Sequence, residues 1–356
     1  MGSLTGRYFT VMTFGESHGP GLGVVIDGLP AGLPIDLAAI QRDLDRRKPG
    51  QSPFATARKE GDRPEILSGL TSGGLTNGSP LAILIRNEDA RSQDYAKTAG
   101  SFRPGHADWT YFKKYGLPPQ PGGGRSSGRE TVSRVAAGAV ARALLAPLGV
   151  SVRAASLSFG PVRAARRDWD FAEGHPLRFL DPDLAQEAEA VVSGAKARGD
   201  SVGSSVELKA GGLPAGWGDP VFDKLEANLG RAFFSIGAVR AVEFGQGLAL
   251  SSMLGSEAND PMGPLGPLSD RHGGVLGGIS TGRDLTARLY AKPTPSIALE
   301  QDTVSLDGEA VKISVPGRHD PCLAPRLAPV AEAMCLITLA DFYLRGPARL
   351  GGPAQP

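Results

Sequence analysis

Gly122-Gly123-Gly124-Arg125-Ser126-Ser127-Gly128-Arg129-Glu130 is the stretch on which the reading of this chain turns. Ser127 to Glu130 fits the S-x-x-E capping box, which marks a helix start. Val132, Val135, Ala136, Ala139 and Val140 follow at helical spacing, so a helix is predicted over Arg129–Ala146, stopped by Pro147. Three glycines running into a capped helix start point free N–H groups and the positive dipole end at one spot. Arg125, Arg129 and two serine hydroxyls lie beside that spot. The arrangement suits an anion, although a mobile turn with solvated arginines has the same composition. It matches neither the phosphate loop G-x-x-x-x-G-K-[ST] nor the dinucleotide fingerprint.

Other elements are placed outward from this helix. Leu37, Ile40 and Leu44 predict a helix over Leu37–Arg47, ended by Pro49-Gly50. Further helices are expected over Asp183–Gly199, Asp219–Gly230 and Val330–Leu344, the last with Pro329 at its start, where proline is tolerated. Strand patterns cover Val24–Ile26 running into a turn, Leu81–Ile85, Val202–Leu208, Val239–Phe244, Leu285–Ala291 and Val311–Val315. Their spacing is too irregular for an eightfold barrel, and no 20–50-residue repeat or Pro/Ser-rich linker is visible. The expectation is a single α+β domain over residues 1–356 with long functional loops and a flexible end from about 350 to 356.

Composition narrows the function classes. Lys+Arg is 38 and Asp+Glu is 37 in 356 residues, a formal net charge of +1, so bulk charge does not suggest a nucleic-acid or membrane partner. Aromatic residues make up only 6%, which further disfavours an RNA-binding surface. Two cysteines, Cys322 and Cys335, are too few for a disulfide framework, and a cytoplasmic location is the default reading. No run of 18 apolar residues predicts a membrane span, and no signal-peptide pattern is evident at the start. Gly 49 and Pro 29 are high for a globular chain, which points to many structured loops.

Those loops hold the chemistry. Phe14–Gly19 carries Ser17 and His18; Phe102–Asp108 carries Arg103 and His106; Pro316–Pro321 carries Arg318, His319 and Asp320. Arginine grips phosphate and carboxylate in a planar fork, and histidine exchanges its proton near neutrality. No H-E-x-x-H, H-x-H or C-x-x-C occurs, so no metal site is expected. Ser17 is not in G-x-S-x-G, so a hydrolase elbow is not supported.

Read together in order, Thr13–Gly19 (TFGESHG), Asp45–Gly50 (DRRKPG), Arg91–Tyr95 (RSQDY), Arg103–Asp108 (RPGHAD), Gly122–Glu130 (GGGRSSGRE), Gly277–Ser280 (GGIS), Lys292–Ile297 (KPTPSI) and Gly317–Cys322 (GRHDPC) resemble the chorismate synthase family along nearly the whole chain. The resemblance implies a β-α-β sandwich, with helices between two antiparallel sheets, and assembly as a homotetramer. It implies the trans-1,4 elimination of phosphate from 5-enolpyruvylshikimate 3-phosphate to give chorismate, in the shikimate pathway of aromatic amino acid biosynthesis. It also implies reduced FMN (FMNH2) without net redox change, with NADPH only as an external flavin reductant.

The resemblance further implies roles for particular residues. His18 and His106 would be the acid/base pair, Asp320 would assist proton transfer at the flavin, and Ser17 and Ser127 would orient these groups. Flavin contacts would come from Arg125, Ser126, Ser127, Gly237, Ala238, Gly278, Lys292, Pro293, Thr294, Pro295, Ser296 and Arg318. Substrate contacts would come from Arg46, Arg47, Arg103, Arg129 and Arg134. Pro53, Gly237 and Ser269-Asp270-Arg271 depart from residues common in the family.

Overall fold

A computed structural model of the chain describes residues 2–54, 60–88, 100–317 and 319–346. One antiparallel sheet is built from β1 (Leu4–Thr5), β2 (Thr10–Gly15), β3 (Gly21–Asp27), β4 (Pro64–Ser68) and β5 (Leu81–Arg86), in the order β1-β2-β3-β5-β4. Its inward face follows the two-residue period: Leu22, Val24 and Ile26 on β3, and Leu81, Ile83 and Ile85 on β5, are fully buried.

The second antiparallel sheet uses β6 (Ser151–Phe159), β7 (Val162–Arg163), β8 (Ser204–Gly211), β9 (Val239–Phe244) and β14 (Leu285–Ala291), in the order β7-β6-β8-β14-β9. Val206, Leu208, Leu285, Ala287 and Leu289 point inward. The alternate residues form a polar ladder outside, in which Arg288 donates to Glu207 at 3.2 Å and Tyr290 to Glu243 at 2.7 Å. Short hairpins β10–β11 (Met262–Gly263, Gly266–Pro267), β12–β13 (Val275–Leu276, Ile279–Ser280) and β15–β16 (Gln301–Val304, Ala310–Ile313) decorate the loops.

Two of the helices fill the space between the sheets. α1 is Leu37–Arg47, α2 Asp108–Tyr115, α3 Thr131–Leu145, α4 Trp169–Gly174, α5 Ala185–Ala197, α6 Leu225–Phe234, α7 the single turn Gly255–Ala258, and α8 Ala324–Arg345. α3 packs on β2, β3 and β5, α8 packs on β6 and β8, and the two helices pack on each other. The order sheet, helix, helix, sheet is the expected β-α-β sandwich. The helices approach closely because Gly138 meets Ala333: a Cβ at Gly138 would lie 2.4 Å from the Ala333 Cβ. The segments Gly128–Leu148 and Ala324–Arg345 have the length and mean hydropathy of membrane spans, but they are 61% and 83% buried inside the protein. Their apolar character is that of helices packed on all sides.

Several boundaries differ from the sequence reading. α8 begins at Ala324, not after Pro329: Pro325 occupies the first turn and Pro329 lies inside the helix. Contacts along the rest of α8 outweigh the lost backbone hydrogen bond at Pro329. The helix expected over Asp219–Gly230 is Leu225–Phe234, because Asp219 and Asp223 close a turn and receive Arg345 at 3.2 and 3.5 Å. The strand Ser151–Phe159 escaped the sequence reading, since its Ala/Ser-rich pattern has Val152 as its one β-branched residue and its burial comes from α8. In the capping box, Ser127 accepts from the Arg129 N–H at 3.4 Å, but Glu130 does not reach back. Its carboxylate receives Thr13 at 3.0 Å and Arg134 at 2.8 Å. The expected flexible end, residues 350–356, lies outside the described residues.

Candidate active site

A cleft of about 1580 Å³ opens between the first sheet, the start of α3, the turn before β9 and the first turns of α8. It is roomier than a usual single-ligand pocket of roughly 300–1,000 Å³. The Gly122–Gly124 loop forms one wall, and all three glycines have positive φ (62°, 86° and 51°), conformations that side chains disfavour.

This loop brings the two histidines together. A Cβ at Gly122 would lie 2.1 Å from His18 Cε1 and 3.0 Å from Ser17 Oγ. A Cβ at Gly123 would lie 3.0 Å from His106 Cε1 and 3.2 Å from its Nε2. Consecutive glycines therefore seat one imidazole each, and a side chain at either would displace a ring. Ser17 is fully buried, with its hydroxyl 3.0 Å from His18 Nδ1 and 3.4 Å from the Gly122 carbonyl. Ser126 donates to the Gly123 carbonyl at 2.7 Å and braces the loop.

His106 stands in a tight group of charges. Its Nδ1 is 2.7 Å from Asp108 Oδ1, while Arg103 donates to Asp108 through Nε at 2.7 Å and Nη2 at 2.8 Å. Burial alone would raise the Asp108 pKa, but Arg103 and His106 outweigh it and hold this carboxyl well below the usual carboxylate range. Arg103, expected as a substrate arginine, lines the cleft but is bound first to this carboxylate.

Asp320 lines the opposite wall, paired with Arg326 and tied by its carbonyl to Thr294 Oγ1 at 2.8 Å. His319 lines the cleft beside it; burial lowers its pKa, Arg103 and His106 act in the same direction, and Asp320 opposes them. Lys292 bonds the Gly105 carbonyl, and its pKa is lowered by burial and by Arg240. Thr294, Pro295, Ser296, Gly237 and Ala238 also face the cleft. Ala238 holds a left-handed conformation (φ 73°), and its carbonyl accepts from the Lys292 N–H at 3.0 Å.

The remaining expected site residues separate into three groups. Arg125, Ser126, Ser127, Arg129 and Arg134 line the cleft. Arg125 donates to Thr13 at 2.7 Å and to the Gly15 carbonyl at 3.2 Å, which staples the glycine loop to β2. Ser17, His18, Arg46, Arg47, Pro293 and Gly278 are not among the lining residues, although Ser17 and His18 stand against Gly122, which is. Arg46 is paired with Glu332 at 2.5 Å and Glu173 at 3.0 Å. Arg47 is fully buried against Asp62, and Gly278 packs on Lys224 at the start of α6. Arg318, like the Arg91–Tyr95 stretch, lies outside the described residues.

Sequence reasoning named His319 in a candidate loop without giving it a role, and it missed Asp108, Arg240 and Arg326 in the cleft and Asp62, which pairs with Arg129. For Asp108 a signal existed: it stands two residues after His106, within reach of the same ring nitrogen. Asp62 had none, since it reaches Arg129 from 67 residues away.

Comparisons with known proteins agree with this architecture. The chorismate synthase family model matches residues 9–344. A chorismate synthase of Syntrophobacter fumaroxidans is 51% identical over 343 residues, covering 96% of this chain and 97% of that protein. One from Porphyromonas gingivalis is 49% identical over 349 residues, covering 95% of each. A crystal structure of chorismate synthase superposes with a TM-score of 0.77 at 28% identity, covering 98% of this chain and 94% of that one. With a family match across nearly the whole length, relatives at half identity and the same sandwich around a basic cleft, this chain belongs to the chorismate synthase family.

Proposed function

We propose that the cleft binds reduced FMN together with 5-enolpyruvylshikimate 3-phosphate and that its residues assist the trans-1,4 elimination of phosphate. The observation that carries this reading is the gathering of His106, Asp320 and several cations on one cleft large enough for both molecules, with His18 against Gly122 of its wall. The residues present fit a flavin phosphate and an anionic substrate: Arg129, Arg134, Arg240, Lys292 and Arg326 all line the same space. Reduced FMN, when bound, supplies electron density that eases departure of the phosphate without net redox change.

The protein's own groups do the rest. The cations would stabilise charge that develops on the leaving phosphate, in a cleft where water competes less than in bulk. His18, hydrogen-bonded to Ser17 and set against Gly122 of the cleft wall, is assigned to give the departing phosphate a proton. His106 presents Nε2 to Gly123, where it can hold a proton at the cleft. Asp320, held by Arg326, is the carboxylate for the carbon-bound proton. The groups expected from sequence at Gly278, Pro293, Arg46 and Arg47 are assigned to shaping the frame around the cleft.

We place NADPH outside this reaction, as a reductant of flavin supplied from elsewhere. The chain is proposed to act as one domain, in the cytoplasm, and as a homotetramer. Exposed apolar residues on the loop between β9 and β12, Leu248, Leu254, Met262 and Leu265, supply a surface that assembly would cover. The deciding experiment supplies chemically reduced FMN without air and measures phosphate release from 5-enolpyruvylshikimate 3-phosphate. Turnover is expected; no release from well-folded protein overturns the reading.

A further inference from the structure

We propose that Asp108 is the positioning residue of His106: it fixes the proton on Nδ1 and leaves Nε2 as the basic atom presented to the cleft. The argument is geometric. Three atoms meet at one point: Arg103 Nη2 is 3.0 Å from His106 Nδ1, Arg103 Nη2 is 2.8 Å from Asp108 Oδ1, and His106 Nδ1 is 2.7 Å from that same oxygen. A guanidinium only donates, and an ionised carboxylate only accepts. A bare Nδ1 would set its lone pair against the carboxylate oxygen at 2.7 Å. The triangle is consistent only when Nδ1 carries a hydrogen and both donors converge on the one oxygen. The neutral ring then has its free lone pair on Nε2, the edge that faces Gly123.

Arg103 gives the arrangement its direction. Asp108 is 4% exposed, and Arg103 holds it through the side chain twice and through its backbone N–H at 3.3 Å. A carboxylate engaged this way stays ionised and does not take the proton from the ring. Asp108 is also the first residue of α2, so the His106 loop and the helix start are locked as one unit. The charged and titratable groups around the ring are Arg103 and Asp108 from its own loop, His319 and Asp320 from the loop before α8, and Lys292, whose ammonium bonds Gly105. Asp108 is the carboxylate in contact with the ring, so its removal leaves His106 beside an uncompensated guanidinium.

The test uses 15N-histidine-labelled protein without flavin, with His106 assigned by comparison with His106→Gln. The wild-type spectrum should show His106 neutral as the Nδ1–H tautomer. In Asp108→Asn, whose amide can donate to Nδ1, the proton should move to Nε2 and the ring, without the facing carboxylate charge, should titrate at lower pH than in the wild type. The activity arm rests on the functional reading above: kcat/KM of Asp108→Asn should fall about 10²-fold, and its acid limb should move in the same direction as the spectroscopic titration. A wild-type His106 that carries its proton on Nε2, or a titration unchanged in Asp108→Asn, overturns the assignment whether or not the protein releases phosphate. Should Asp108→Asn not fold, the wild-type tautomer alone decides.

Discussion

Two clusters in this molecule are built from the same parts and behave oppositely. In one, Asp62 divides its oxygens between Arg47 and Arg129, and Glu60 stands 3.5 Å from Arg129. In the other, Asp108 gives Oδ2 to Arg103 and shares Oδ1 between Arg103 and His106. The first is sealed around Arg47 and Asp62, and only Arg129 reaches the cleft. Arg47 and Asp62 are fully buried, Asp62 adopts a left-handed φ of 49°, and Arg47 Nε and Nη1 lack acceptors among the described residues. Burial pulls the Arg47 pKa down to about 10 against the attraction of Asp62. The second opens onto the cleft through His106. A carboxylate between two permanent cations is a strut; a carboxylate between a cation and an imidazole controls a proton. That difference separates a frame from a catalytic group.

The largest effect that would test this contrast is His106→Ala. Turnover should fall by roughly 10²–10⁴, while the urea unfolding midpoint stays near that of the wild type. Near-normal turnover would put the open cluster in the same class as the sealed one.

The sealed cluster should respond in stability instead. Asp62→Ala leaves two buried guanidinium groups without their shared counter-ion and should destabilise by about 3–5 kcal/mol. Arg47→Met removes an already under-bonded cation and keeps the Asp62–Arg129 pair, so its cost should be smaller, under about 2 kcal/mol. Chemical denaturation measures both; equal losses would show that Arg47 and Asp62 contribute as a simple pair.

Acid should weaken both clusters by a smaller, graded amount. Burial opposes ionisation of Asp62, but Arg47 and Arg129 hold its pKa below the ordinary value, as Arg103 and His106 do for Asp108. A depressed folded pKa contributes stability that is complete above the unfolded carboxylate value of about 3.9 and is lost as pH falls below it. The urea midpoint should therefore decline below about pH 4, and more shallowly in Asp108→Asn. A midpoint independent of pH in that window would remove the electrostatic account of both clusters.

Much of this was legible in the chain. The continuous apolar run Leu81–Ile85 and the three-and-four spacing of Leu37, Ile40 and Leu44 announced elements that the structure contains. Local signals misled where a residue's partner was distant. Arg46 and Arg47 look alike beside Pro49-Gly50, yet one side chain runs to Glu332 and the other to Asp62. Pro329 read as a helix start because nothing nearby shows how firmly α8 is held by β6 and β8.

By itself the sequence determined the family, the helix launched from Ser127–Glu130, and the supply of histidines and arginines in glycine-flanked loops. Those follow from short-range pattern, where periodicity and motif spacing act within a few residues. Tertiary structure alone decided which arginines face the cleft, which are locked on carboxylates, and which nitrogen of His106 is turned toward Gly123. The reason is physical: a guanidinium's role depends on the acceptor it meets and the water it loses, and folding brings that acceptor from anywhere in the chain.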